Sequence, residues 1–260
     1  MLPDDALSLD SGPARTPLAV SETLSRTERL KARHFDENDH PYVHLERAIE
    51  RYLEPGDTVV EAGCGRSAPL LSKLGGKAAR RVGVDLVEFE LDEGLEDIEL
   101  IRGSITDTGL PSSSVDLVIS RALMEHLPSP RPAFAEIQRI LKPGGRYVYL
   151  VPNLGDYGSI LAKLIPNGMH PRIVKFVEGR DVQDTFPAYF KCSTQGAIRN
   201  FCDSTGLEIE SCEYLGQYPA YFQFNSVLFQ LATYYEKLIS NVDALKVLRG
   251  WLLVVARKPG

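Results

Sequence analysis

Long hydrophobic runs are missing from this 260-residue chain. The longest near the C-terminus, Trp251 to Ala256, is six residues, whereas a membrane-spanning helix needs about 20. A transmembrane segment is therefore not expected. Cysteine is scarce: Cys64, Cys192, Cys202 and Cys212 form no CxxC pair. That is too sparse for a disulfide scaffold or a zinc ribbon, and fits a reducing, cytoplasmic setting. An excess of positive charge is also lacking. The 29 Lys+Arg stand against 35 Asp+Glu, a formal charge of −6, which argues against nucleic acid as an electrostatically bound partner. Residues 1–27 carry neither a basic n-region nor an apolar h-region. They read as a flexible arm rather than a secretory signal. What remains is ordinary globular composition, 43% hydrophobic and 25% charged. It predicts a single domain over residues 28–260, with insertions at about 154–194 and 216–249.

Hydrophobic period then organises the chain. Val43, Leu45, Ala48, Ile49, Tyr52 and Leu53 make a helical stripe after Pro41, stopped by Glu54-Pro55-Gly56-Asp57. Strands are expected at Thr58–Val60, Arg81–Leu86, Ile98–Arg102, Val115–Ser120, Arg146–Val151, Leu207–Tyr214 and Trp251–Lys258. Helices are expected at Ala68–Leu74, Pro130–Leu141, Thr194–Thr205 and, aromatic and mostly uncharged, Tyr221–Ile239. Strands alternating with helices imply a parallel sheet with right-handed crossovers. Asn153 to Thr194 shows no strong period.

The chemistry concentrates at Glu61-Ala62-Gly63-Cys64-Gly65, between the first strand and its helix. Ligands of such sheets bind beyond the C-terminal strand ends. Glycines there let the backbone turn sharply and approach a ligand closely. Asp85 ends the second strand, where a carboxylate can accept both hydroxyl protons of a ribose. Gly63-x-Gly65-x-x-Ala68 satisfies a dinucleotide fingerprint, so a nicotinamide-dependent oxidoreductase is one reading. Glu61 favours another. A pyrophosphate is repelled by a nearby carboxylate, whereas the ammonium and sulfonium of S-adenosylmethionine are attracted.

The ordered series from Val59 to Asn153 resembles the class I S-adenosylmethionine-dependent methyltransferases. Val59-Val60-Glu61-Ala62-Gly63-Cys64-Gly65 resembles that family's first motif, and Val82-Gly83-Val84-Asp85 its ribose-binding strand end. Gly103-Ser104-Ile105, Leu110-Pro111, Ser114 to Val118, Glu125-His126-Leu127 and Glu136 to Gly145 follow in order. The resemblance implies a Rossmann-like α/β fold. Its seven-stranded, mostly parallel sheet is doubly wound, with helices on both faces and inserted lid segments. It also implies S-adenosyl-L-methionine as cofactor. Glu61 would orient the methionine end, and Gly63, Cys64 and Gly65 would line the cofactor. Asp85 would hold the ribose, Leu86 would be a further cofactor-binding residue, Ser104 and Ile105 would border adenine, and Arg121 would border the methionine moiety. Three departures stand out. Ser67 replaces a glycine, Ser104 replaces an acid often found on adenine, and only twelve residues, Leu86 to Asp97, separate the second and third strands.

The acceptor side is less marked. Methyl transfer to an O, N or C nucleophile of a small or medium-sized molecule is the expected reaction, the acceptor being a natural product, glycan intermediate or quinone-like compound. A non-catalytic cofactor-binding subunit is the alternative. His126 and His170 are the candidate catalytic residues, with Tyr157, Asp181, Asp184 and Tyr189 as further candidates for a base. His40 and His44 look scattered, and no metal-ligand spacing links the histidines. The stripe Phe224, Val227, Leu228, Leu231, Tyr235 and Leu238 suggests core, a lid over a largely apolar pocket, or a homodimer surface over 221–239, with membrane docking the weaker reading because Lys237 is the helix's only basic residue.

Overall fold

Seven strands form one sheet in the order β3-β2-β1-β4-β5-β7-β6. The structure, a computed structural model, describes residues 25–90, 96–164 and 186–260. The strands are β1 Thr58–Ala62, β2 Arg80–Asp85, β3 Ile98–Arg102, β4 Val115–Arg121, β5 Leu141–Pro152, β6 Glu208–Leu215 and β7 Trp251–Arg257. β1 through β5 pair in parallel, while β7 runs antiparallel to both β5 and β6. The central strands are buried on both sides and read as continuous apolar runs, as a covered parallel sheet requires.

The described helices are α1 Arg26–His34, α2 Pro41–Tyr52, α3 Pro69–Leu74, α4 Pro130–Ile140, α5 Tyr157–Leu164, α6 Gln195–Thr205 and α7 Ser226–Asn241. Leu45 and Ile49 of α2 pack with Leu70, Leu71 and Leu74 of α3 in one core cluster. Ala133, Phe134 and Ile137 of α4 pack with Ile198 and Cys202 of α6 in the other. Helices thus cover both faces. The order reverses between β1 and β4, which opens a crevice beyond their C-terminal ends.

Three expectations need adjustment. The flexible arm falls almost wholly outside the described residues, and Ser25 already caps α1 through a reciprocal box with Glu28. The aromatic helix begins at Ser226, not Tyr221. Asn225 accepts from the N–H groups of Val227 and Leu228, and only a 3-10 turn, Ala220–Phe222, precedes it. Helix α5 lies inside the stretch that shows no period, started by Asp156, which accepts from Gly158 and Ser159. Between β2 and β3 the described residues carry no helix. Glu90 N–H instead bonds Arg66 O at 3.0 Å, strapping that linker to the glycine turn.

Candidate cofactor and acceptor sites

The glycine turn is built on positive φ. Gly63 has φ +70, and a Cβ there would lie 2.7 Å from Leu123 Cδ1. Gly65 has φ +63, and its missing Cβ faces open space. One glycine serves packing, while the other leaves room for a ligand. The N–H groups of Gly63 and Cys64 bond Val84 O at 2.8 and 3.3 Å, stitching the turn to β2. Asp85 Oδ2 accepts from Gly65 N–H at 2.7 Å, and Oδ1 accepts from Val87 N–H at 3.2 Å. The carboxylate therefore sits at the mouth of the turn, beside Leu86, which is 65% exposed. An uncovered leucine flanking a fixed carboxylate is a ready platform for a nucleoside.

Glu61 is buried beneath this surface. Its Oε2 accepts from Leu71 N–H at 3.1 Å, at the start of α3. Burial pushes its carboxyl up to about 8, opposed by that backbone bond and by Arg121. Cys64 is buried too, and burial raises its thiol well above the ordinary range, which leaves it a packing group rather than a nucleophile. Ser104 bonds Thr106 within its own turn at 2.8 Å. Ile105 belongs to the core, so its side chain faces inward. Arg121 caps β4 and lies 4.5 Å over the Tyr42 ring.

A cavity of about 780 Å³ lies on the β6 side of the same sheet end, between α1, α2 and α7. Its walls include Lys31, His34, His40, His44, Glu236 and Lys237, along with Phe35, Leu215 and Tyr218. The cavity is mixed in polarity. His40 packs edge-on against Tyr42 at 4.7 Å, so one ring separates the cavity wall from Arg121. Burial, Lys31 and Arg121 hold the His40 imidazole below its usual range, hence neutral near pH 7. Its Nδ1 accepts from Tyr42 N–H at 3.2 Å, which assigns the proton to Nε2. His40 is then a donor, not a base.

Sequence reasoning missed this wall because nothing marks His40 except its place before Pro41, a helix-start signal. It also missed a buried acid cluster. Glu236 is 1% exposed and Asp156 2%. The Glu236 and Asp156 carboxyls are buried close to the Tyr157 side chain, and the Tyr157 hydroxyl and Gln217 N–H are the polar groups that face Glu236. Burial pushes Glu236 up to about 8 and Asp156 to about 6. His126 lies elsewhere. Its Nδ1 donates to Pro187 O at 3.0 Å, and Glu125 O accepts from Tyr189 and Phe190, pinning the end of the insertion. His170, Asp181 and Asp184 lie outside the described residues. Among the described residues no cluster of three His, Cys, Asp or Glu could hold a metal, and no helix is long and apolar enough to cross a membrane.

Comparison with known proteins gives the frame for this geometry. A family model described as a methyltransferase domain matches residues 60–149. Sterol 24-C-methyltransferase from Pneumocystis carinii is 26% identical over 177 residues, 65% of this chain and 44% of that protein. The chain spans less than half the length of the first curated relatives it matches. An S-adenosylmethionine-dependent methyltransferase from Mesorhizobium loti superposes with TM-score 0.54 at 19% identity, covering 85% of this chain and 99% of that one. Geranyl diphosphate C-methyltransferase from Streptomyces coelicolor A3(2), solved with Mg2+, geranyl diphosphate and S-adenosyl-L-homocysteine, gives TM-score 0.55 at 16% identity, covering 83% and 77%. These likenesses and the methyltransferase-domain match displace the nicotinamide reading in favour of S-adenosylmethionine. Over residues 60–149 the chain carries a methyltransferase domain, and its seven-stranded sheet is the fold of solved S-adenosylmethionine-dependent methyltransferases.

Proposed function

We propose that this chain transfers a methyl group from S-adenosylmethionine to a carbon, oxygen or nitrogen nucleophile of a medium-sized amphipathic acceptor. The observation that carries the reading is the Asp85 carboxylate fixed on Gly65 N–H beside exposed Leu86 and an open Cβ position. Asp85 would hold the ribose, Leu86 would lie on the adenine side, and Arg121 would face the methionine end. The sulfonium supplies an activated methyl group with its own leaving group. The protein's part is then alignment and exclusion of water. His40, one ring from Arg121, would donate from Nε2 to an acceptor oxygen. The relatives named for sterol and geranyl diphosphate methylation favour an acceptor with an isoprenoid-like body. The mixed cavity adds a polar end near Lys31, His34 and Lys237.

Two measurements test this. Calorimetric titration with S-adenosylhomocysteine should show one site. Mass spectrometry of lipid and small-molecule extracts incubated with labelled methyl donor should show a product carrying the label. A chain that binds the cofactor product yet labels nothing in any extract would instead be a cofactor-binding subunit.

A further inference from the structure

The described lysines differ in what they hold. Lys73, Lys77, Lys142 and Lys246 each pair with a carboxylate. Among the described residues Lys31 and Lys237 have no carboxylate partner. Lys31 Nζ lies 4.4 Å over the Tyr218 ring, and Lys237 Nζ donates to His34 Nδ1 at 2.9 Å. An aromatic face and an imidazole nitrogen hold an ammonium without neutralising its charge. Both lysines wall the cavity of about 780 Å³.

Two imidazoles add donors to the same wall. An ammonium only donates, so His34 Nδ1 accepts from Lys237 and the His34 proton sits on Nε2. His40, whose Nδ1 accepts from Tyr42 N–H, also carries its proton on Nε2. These groups adjoin one another. Lys31 and His34 are three residues apart on α1 and share a face. His40 lies beside the ring that Lys31 covers, its centroid 6.1 Å from that of Tyr218. The acids of the lining do not cancel this charge. Lys31, His34 and His40 are half-buried, whereas Asp36, Glu37 and Asp39 are exposed and screened by water. Asp36 already accepts from the Asn38 backbone and side chain, and Glu236 is kept protonated near pH 7 by its burial.

The donor set also selects the anion. A planar carboxylate is best met by the fork of a guanidinium, whereas ammonium groups act as point charges and suit phosphate. The lining arginine, Arg249, is committed to the Ile239, Ser240 and Tyr214 carbonyls at 3.0, 3.0 and 3.4 Å. Two ammoniums and two N–H groups remain, enough for the charge and the several oxygens of a phosphate. We infer that Lys31, His34, His40 and Lys237 hold the phosphate of a phosphorylated acceptor, whose apolar body lies along Phe35, Leu215 and Tyr218. As an acceptor class this rests on the proposed methyltransferase reading, while the anion site itself does not.

Calorimetric titration of the full chain with octyl phosphate, octanoate and inorganic phosphate, with and without S-adenosylhomocysteine, tests the site. Octyl phosphate should bind. Octanoate should bind about tenfold more weakly, having less charge, and inorganic phosphate should also be weaker, lacking the apolar body. Lys31→Gln and Lys237→Gln, made separately, should each weaken octyl phosphate about tenfold, the scale of one charge-assisted hydrogen bond. Lys73→Gln, whose ammonium pairs with Glu46 instead, should change nothing. All three variants should keep the parent's melting temperature and S-adenosylhomocysteine affinity. Octanoate binding as tightly as octyl phosphate overturns the inference, as does octyl phosphate binding that both cavity substitutions leave unmoved in folded protein. Inorganic phosphate binding as tightly as octyl phosphate overturns the assignment to an acceptor and makes free phosphate the ligand. A chain that binds S-adenosylhomocysteine but no octyl phosphate loses the inference and keeps the methyltransferase reading. Octyl phosphate binding without S-adenosylhomocysteine binding would count against that reading alone.

Discussion

The two ends of the sheet crevice are made from different materials. The proposed cofactor end is backbone: a positive-φ turn whose Gly63 and Cys64 amides bond the Val84 carbonyl, and whose Gly65 amide bonds the Asp85 carboxylate. Its parts follow one another closely in the chain, from β1 to the end of β2. The proposed acceptor end is side chain: histidines and a lysine from α1 and α2, Gln217 and Tyr218 after β6, Glu236 and Lys237 from α7. Those parts come from three distant stretches of sequence. A backbone site depends on a few glycines and tolerates change around them. A side-chain site can be rebuilt residue by residue on the same sheet, as an enzyme family with one cofactor and many acceptors requires.

The largest effect should come from bulk at Gly65. Gly65→Val puts a side chain into the space a ligand would fill and forces a β-branched residue to φ +63. S-adenosylhomocysteine affinity should fall beyond about 100-fold, roughly 3 kcal/mol. The melting temperature should drop modestly, since left-handed backbone costs about 1–2 kcal/mol. Normal binding by the folded variant would falsify the placement of the cofactor. Asp85→Ala should come next. It removes the charge-assisted bond to Gly65 N–H together with the proposed ribose contacts, a loss of about 1.5–3 kcal/mol in S-adenosylhomocysteine binding by calorimetry. Unchanged affinity would mean that Asp85 only braces the turn.

The positions of Gly65 and Asp85 in the fold were legible because strand ends and glycine turns are local. Arg81–Leu86 announces β2 by its apolar run, so Asp85 is placed by counting, and the glycines are placed by the turn they permit. The hydrogen bond from Gly65 to Asp85 was not legible, since it spans two strands whose register only the folded sheet sets. His40 illustrates the other limit. In sequence it is a residue before a proline. In the fold it reaches the cavity because α2 packs across β5 and β7 and brings Tyr42 under Arg121. Glu236 reads as one of several polar residues in an aromatic helix, and only the fold buries it against Tyr157 and Asp156. Helix α5 escaped detection because its apolar residues form no clean period and its start depends on Asp156.

A third test separates the two glycines. Gly63→Ala brings a Cβ within 2.7 Å of Leu123 Cδ1 at φ +70, so its cost should fall on folding. A loss of about 1–3 kcal/mol in denaturant unfolding is expected. Cofactor binding should survive in the fraction that folds. If Gly63→Ala leaves stability untouched while binding collapses, the two glycines do not divide packing from recognition as the geometry indicates.

The smallest effect probes the acceptor end through its protons. Glu236 is buried, and burial, reinforced by the nearby Asp156 charge and only partly opposed by the Tyr157 hydroxyl and the Gln217 N–H, lifts its carboxyl from 4.5 to about 8. Between those values the folded protein keeps a proton that the unfolded chain has released. Raising the pH through that window therefore lowers stability, and the loss is complete above about pH 8. Glu61 and Glu125, also lifted to about 8 by burial, act in the same direction, so the parent's profile alone cannot isolate one residue. The difference between Glu236→Gln and the parent can. Glutamine keeps the shape and stays neutral, so the two melting temperatures should nearly coincide around pH 5, with the variant pulling ahead as the pH rises toward about 9. The separation should reach a few degrees, since about 1 kcal/mol moves the melting point of a domain this size by about 2–4 °C. The same variant should leave S-adenosylhomocysteine affinity unchanged, because Glu236 belongs to the other end of the crevice. Parallel melting profiles would show that Glu236 is charged and partnered in the folded protein. A change in cofactor affinity would show that the two ends are coupled rather than separate.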